Sequence, residues 1–257
     1  MRGGRDPLLR LGGITDISTV DWYGNVSMVV FFAGCNFRCP YCQNAALVPA
    51  TSGEDVDLDL LRRRIDLNRD LLDAVVFTGG EPLLQAEGLM RAAEIVKDCG
   101  LKVMLDTNGS APQIVEKLLD AGLLDRVALD VKAPLAEEDY GVVIGLPDSG
   151  AEAVRSVDRT LELCNGHDVE IEVRTTVAPT ISDDPEFIGR IASGIRGRCD
   201  VYILQQFDNT GGLLSPRLKG LEPPGRDLMV LLAEAARGEG VEDVYIKTRE
   251  MGLERVG

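Results

Sequence analysis

The chain has 257 residues, 45% of them hydrophobic and 27% charged, a composition that excludes disorder, collagen-like repeats and a disulfide-stapled miniprotein. Lys and Arg number 27 against 42 Asp and Glu, giving a net charge of −15, and a field of that sign repels phosphate backbones and anionic lipid surfaces. No run approaches the roughly 18 uncharged apolar residues of a membrane span, and the opening MRGGRDPLLRLGG lacks the apolar core of a secretory signal. The expectation is a cytoplasmic protein that binds neither nucleic acid nor membrane.

Apolar, β-rich runs recur along the chain at Ser27–Phe32, Ala74–Thr78, Lys102–Asp106, Arg126–Val131, Val169–Val177, Val201–Phe207 and Val244–Thr248. Most are continuous Val/Ile/Leu runs, as expected of strands buried on both faces of a parallel sheet. Helical spacing separates them. Leu89, Ala93 and Val96 share a face, as do Leu118, Leu119 and Gly122, then Phe187, Ile188, Ile191 and Ile195, then Leu228, Leu231, Leu232 and Ala235. Strand followed by helix, repeated, predicts an α/β fold with right-handed crossovers. No repeat, low-complexity stretch or Ser/Gly linker divides the chain, so one domain over 1–257 is expected, with a core at about 19–212 and a C-terminal helix and strand over 225–250.

In such folds ligands bind at the carboxyl ends of the strands. Here those ends carry Cys35, Cys39 and Cys42, then Gly79-Gly80-Glu81-Pro82, then Asp106-Thr107, then Asp130 and Lys132. Polar residues closing one buried strand after another predict a single shared site.

AGCNFRCPYCQN gives C-x3-C-x2-C after the first strand run. Three thiolates on one loop can hold three irons of a cubane and leave the fourth open to exogenous ligands. Two other readings stand beside it: small core residues, or a zinc site recruiting Cys99, Cys164 or Cys199. Otherwise these last three are read as buried small residues, and the lone His167, in a turn-like setting, as a solvated loop residue.

Together with Tyr41 ahead of the third cysteine and TGGEP after the second strand run, this loop resembles the radical S-adenosylmethionine superfamily. MLDTNG (Met104–Gly109), LDVK (Leu129–Lys132) and VRTTVAPTISDD (Val173–Asp184) are similar to the branch that activates glycyl-radical enzymes, such as pyruvate formate-lyase and anaerobic ribonucleotide reductase. The resemblance implies a partial (β/α)6 TIM-like barrel with a parallel sheet and a 4Fe-4S cluster on Cys35, Cys39 and Cys42. It also implies S-adenosyl-L-methionine on the open iron, a 5′-deoxyadenosyl radical, and a glycyl radical enzyme as protein substrate. A flavodoxin or ferredoxin would supply the electron, and Arg62–Arg64 is a candidate contact for it, although a plain solvated helix face explains these arginines as well.

By the same resemblance the cofactor is held by Tyr41, Gly79, Gly80, Glu81, Asp106, Thr107, Asp130, Lys132, Arg174 and Gln206. Gly79 and Gly80 allow close backbone approach, and Glu81 can accept from the cofactor's ammonium. Asp106, Thr107 and Asp130 offer oxygens for a monovalent cation. Lys132, two residues beyond Asp130, shares its face, so a plain ion pair is the alternative there. Arg174 lies within an apolar strand and needs an anionic partner; the cofactor's carboxylate is expected, and Glu172 is set aside as facing the other way. Gln43 and Gln206 stand where similar proteins often have histidine, and Tyr23-Gly24 where Pro-Gly is usual. Two competing functions remain open: radical chemistry on a small molecule, as in 7-carboxy-7-deazaguanine synthase, and a non-catalytic iron–sulfur electron-transfer protein.

Overall fold

The structure, a computed structural model, describes residues 7–257; the first six residues of the leader reading fall outside it. The chain forms two compact units. The first comprises residues up to Asn36, Ala46–Thr107 and Gln113–Val127; the second comprises Phe37–Ala45, Asn108–Pro112 and Ala128–Gly257.

The first unit holds strands β1 (Leu9–Ser18), β2 (Ser27–Phe32), β3 (Glu54–Val56), β4 (Ala74–Gly79) and β5 (Lys102–Thr107), in the order β5-β4-β2-β1-β3. β2, β4 and β5 run parallel, while β1 is antiparallel to both β2 and β3. The parallel strands are almost wholly buried: Met28, Val29, Val30, Val75, Val76 and Phe77 expose nothing, and Phe32 meets Phe77 edge-on at 5.9 Å between ring centroids. Helices α1 (Leu58–Asn68), α2 (Ala86–Asp98) and α3 (Pro112–Asp120, its body in this unit) come after β2, β4 and β5 in the chain, α1 with the short β3 in between. Asp57 starts α1 by accepting from the Leu60 amide at 2.7 Å, the usual service of an Asp N-cap. The inward face of α1 is Leu58, Leu61 and Ile65.

The second unit holds the end of β6 (Arg126–Asp130), then β7 (Glu170–Val177), β8 (Val201–Gln206), β9 (Val244–Thr248) and β10 (Gly252–Arg255), in that spatial order. β7, β8 and β9 are parallel; β10 turns back antiparallel on β9. Helices α4 (Glu137–Val143) and α5 (Gly150–Asn165) follow β6, α6 (Pro185–Ile195) follows β7, and α7 (Arg226–Gly238) follows β8. Each unit therefore carries three strand–helix repeats, and every expected parallel strand is present within a residue or so of its expected bounds.

Several details differ from expectation. The edge strands β1, β3 and β10 are additional. β1 slips register between Leu11 and Gly13 and again before Ser18, because glycine inside a strand favours a bulge, and this blurs its alternation. α5 is also additional; its buried positions are Ala153, Val157, Thr160, Leu161 and Cys164. The buried face of α7 is Met229, Leu232, Ala233 and Ala236, with Leu231 half-exposed, one position off the expected stripe. Gly122 lies in the turn after α3, not on its face. No described helix is long and apolar enough to cross a membrane.

Candidate active site at the strand exits

Chain order places Cys35 at the end of the first unit's opening segment and Cys39 and Cys42 in the segment that belongs to the second. Cys35 is half-buried, its amide donating to the Val48 carbonyl at 3.0 Å. Cys39 is buried and Cys42 half-buried, and the Cys42 amide donates back to the Cys39 carbonyl at 3.0 Å. None of the six cysteines is in a disulfide. Among the described residues no three His, Cys, Asp or Glu side chains are already assembled as a metal site. Cys99 and Cys164 are buried and Cys199 half-buried, as small packing residues should be. His167 sits in the turn after α5, its Nδ1 2.8 Å from the Leu163 carbonyl.

In the first unit the β4 exit is a tight backbone crossing. Gly79 has φ +121°, and a Cβ there would lie 2.3 Å from the Phe32 carbonyl oxygen; one on Gly80 would lie 2.1 Å from the Gly34 oxygen. No side chain fits either position. The glycines thus let β4 press against the segment entering Cys35. The Glu81 amide completes that crossing, donating to the Gly34 carbonyl at 2.7 Å. Glu81 is fully buried; its Oε1 accepts from the Thr107 hydroxyl at 2.8 Å and the Leu83 amide at 3.0 Å, so it also caps the short 3-10 turn Pro82–Gln85. Thr107 is buried and Asp106 half-buried at the neighbouring exit of β5.

In the second unit the buried Lys132 and Tyr41 lie within electrostatic reach of Cys39. Lys132 is 13% exposed and its ammonium lies 2.8 Å from Asp130 Oδ2. Burial by itself would lower the Lys132 pKa; Asp130, then Cys39 and Tyr41, more than offset this and hold it well above its ordinary value. The ion pair set up by the shared strand face is present, and it is buried at the lysine end. Tyr41 is 3% exposed, and its hydroxyl has no hydrogen-bond partner among the described residues. Burial, and after it the nearby Cys39, pushes the Tyr41 phenol well above its usual pKa. Burial also raises the Cys42 thiol, against the lowering effect of a backbone hydrogen bond at Asn44 and of Lys132.

Arg174 corrects the sequence reading. Its guanidinium Nε donates to Glu172 in a pair whose side chains are 11% and 5% exposed. Residues two apart on a strand share a face, so Glu172 is the near carboxylate and supplies the anion that burial demands. Gln206 is engaged through both ends of its amide: Nε2 donates to the Pro224 carbonyl and Oε1 accepts from the Arg249 amide, each at 2.9 Å. Gln43 and Gln206 line one open cavity of about 240 Å³ with Gln205 and Lys247. Arg63 and Arg64 pair with Asp57 at 3.7 Å and Asp16 at 2.7 Å, which offsets most of the basic surplus on α1.

Two residues of this neighbourhood carry no local signal. Tyr140 of α4 is fully buried and its hydroxyl sits between the Lys132 amide, at 3.3 Å, and the Asp130 carbonyl, at 3.5 Å. Gly145, just after α4, lies against the backbone of Arg38. Gly145 is about 100 residues from Arg38, beyond the reach of spacing arguments, whereas Tyr140 is only 8 residues from Lys132 and 10 from Asp130.

The donor chemistry suits an iron–sulfur cluster: three reduced thiols on one loop, with a buried hydroxyl and a charged ammonium within electrostatic reach of the second. The comparisons agree. The sequence profile of the radical SAM superfamily matches residues 29–189. A Methanocaldococcus jannaschii protein provisionally named a glycyl-radical enzyme activating enzyme is 32% identical over 244 residues, covering 93% of this chain and 95% of its own. The pyruvate formate-lyase 1-activating enzyme of Escherichia coli K12 is 27% identical over 238 residues, 86% of this chain and 92% of its own. A solved radical SAM methyltransferase from Sphaerobacter thermophilus superposes with a TM-score of 0.69 at 14% identity, over 88% of this chain and 67% of its own, which bears on the fold alone. The chain belongs to the radical SAM superfamily.

Proposed function

We propose that this member of the radical SAM superfamily is a cytoplasmic activating enzyme that installs a glycyl radical on a separate glycyl radical enzyme, with an electron from a flavodoxin or ferredoxin. The observation that carries the reading is the pair of buried side chains Lys132 and Tyr41 near Cys39, with Asp130 bonded to the lysine. Similarity to activating enzymes along nearly their whole lengths gives it direction.

Cys35, Cys39 and Cys42 would hold the cluster, as the three-thiol loop allows. When bound, a reduced 4Fe-4S cluster with one open iron supplies the one-electron cleavage of S-adenosylmethionine to methionine and a 5′-deoxyadenosyl radical, which takes a Cα hydrogen from the partner's glycine. The chain's own residues bind and shield. Lys132, kept charged by Asp130, offers a cation to the cofactor's carboxylate. Glu81 offers a carboxylate to its ammonium, and Gly79 and Gly80 admit backbone where a side chain would block it. Tyr41 has a buried hydroxyl that gains a partner when the cofactor arrives; left unpaired, such a group costs about 1–3 kcal/mol. Asp106 and Thr107 are the proposed oxygen ligands of a monovalent cation in the first unit. Arg174 contributes through the guanidinium donors that lie beyond its Glu172 contact, and Gln206 by holding the β8 exit.

Anaerobic reconstitution, followed by S-adenosylmethionine and dithionite, tests the reading through 5′-deoxyadenosine release. Wild type should form it and Cys39→Ser should not. A stable radical signal on an added candidate glycyl radical enzyme is the expected second result. Product with no radical on any such partner, but turnover of a pterin-derived small molecule, would overturn the activating role.

A further inference from the structure

Two of the three thiol positions, Cys39 and Cys42, lie on a short segment with little regular structure of its own. Two of the backbone bonds that hold this segment come from far away in the sequence. The Arg38 amide donates to the Ile144 carbonyl at 2.8 Å, and the Ser215 amide donates to the Pro40 carbonyl at 3.0 Å. The first of these tethers comes from the end of α4, whose local geometry is unusually well defined. Gly145 is left-handed, with φ +71°. Its amide donates to Val142 at 3.1 Å and that of Leu146 to Gly141 at 2.9 Å, the paired bonds of a Schellman ending. A Cβ on Gly145 would lie 2.3 Å from the Arg38 carbonyl oxygen and 2.9 Å from its carbon. The contact is backbone to backbone, at the residue before Cys39, and leaves room only for glycine.

One turn earlier on the same helix, Tyr140 reaches the other side of the site. Its hydroxyl accepts from the Lys132 amide at 3.3 Å and is 3.5 Å from the Asp130 carbonyl, and its ring is completely buried. The Tyr140 carbonyl in turn accepts from the Ile144 amide at 3.0 Å. A single rigid stretch of six residues, Tyr140 to Gly145, therefore touches both the strand exit that carries Lys132 and the loop that carries Cys39.

We infer that this stretch is a brace: Tyr140 and Gly145 are positioning residues that fix the Cys39 loop and the Lys132 exit relative to each other. The inference rests on the activating-enzyme reading for what Lys132 binds, but not for the geometry. Neighbours that orient ligands typically cost about 10–100-fold in affinity when lost, so the expected effects are large enough to measure.

The test pairs two substitutions with a control. Gly122 is also left-handed, φ +63°, with no atom within 4 Å of a built Cβ; Gly122→Ala pays the backbone cost of the left-handed region without pushing on anything. Gly145→Ala pays the same cost and displaces Arg38. Reconstituted Gly145→Ala should lose iron to a ferrous chelator about tenfold faster than Gly122→Ala, at a temperature where circular dichroism finds both folded. Equal rates would overturn the brace. Tyr140→Phe keeps the ring and fills the same space. It should retain iron as wild type does, yet need about tenfold more S-adenosylmethionine to shift the electron paramagnetic resonance signal of the reduced cluster; a titration matching wild type would overturn the Tyr140 limb. A wild-type signal indifferent to S-adenosylmethionine would sink the activating reading while the chelator comparison still judged the brace. Wild type that reconstitutes no iron–sulfur cluster would sink both.

Discussion

Two buried polar groups, one in each unit, are treated in opposite ways. In the first, Glu81 is fully buried yet internally answered: Thr107 and Leu83 donate to it, and it caps the turn that begins at Pro82. In the second, Tyr41 brings a hydroxyl into the interior and gives it nothing to bond among the described residues, beside a lysine kept charged by Asp130. A satisfied buried group stabilises a fold; an unsatisfied one costs stability and is kept where a ligand completes it. The difference is between a carboxylate that also serves the fold and a hydroxyl left for a ligand.

Glu81→Ala should have the largest effect on stability. It strands the Thr107 hydroxyl and the Leu83 amide in the interior, at a cost of about 3 kcal/mol in urea unfolding of the cofactor-free protein; an unchanged midpoint would erase the contrast from the first unit's side. Lys132→Met comes next, at about 2 kcal/mol, below the 3–5 kcal/mol of a fully buried broken pair because Asp130 keeps 40% of its side chain exposed. Its pH dependence has a definite sign. The folded pKa of Lys132 is raised, so its contribution is complete below the unfolded value of about 10.4 and disappears as pH rises through the folded value. The stability gap between wild type and Lys132→Met should stay flat from pH 6 to 9 and close only in strongly alkaline solution.

Tyr41→Phe sharpens the comparison most directly. Deleting an unanswered hydroxyl should leave the cofactor-free protein as stable as wild type or up to about 1 kcal/mol more stable, while S-adenosylmethionine binding weakens. A loss of stability would mean that the phenol is structural after all. The smallest effect concerns a bystander thiol. Burial pushes Cys164 up to about 12, so iodoacetamide at pH 8 should leave it unmodified in the native protein and label it after denaturation, as peptide mass spectrometry would report. Native labelling would place an opening motion in α5.

The parallel strands were legible because burial on both faces writes continuous Val/Ile/Leu runs, as at Met28–Val30 and Val75–Phe77. The edge strands were not: β1 carries Gly12-Gly13 and slips register, and β3 is only Glu54–Val56. The Cys35, Cys39 and Cys42 loop and the turn at Glu81 could be picked out as motifs because ligand loops and turns need contiguous residues. Arg174 and Glu172 could have been read, since a period of two puts them on one face. Gly145 could not, since its importance lies in the distant Arg38 and it looks locally like any helix-ending glycine; Tyr140, 8 residues from Lys132, stands in no motif that sets it apart.

The interleaving of the units bears on how the protein is made. Residues 37–45 are synthesised early, yet their hydrogen-bonding counterparts at Ile144 and Ser215 emerge from the ribosome only after another hundred to nearly two hundred residues. Neither of these two bonds to the segment bearing the sulfurs at 39 and 42 can form before its distant counterpart has been synthesised.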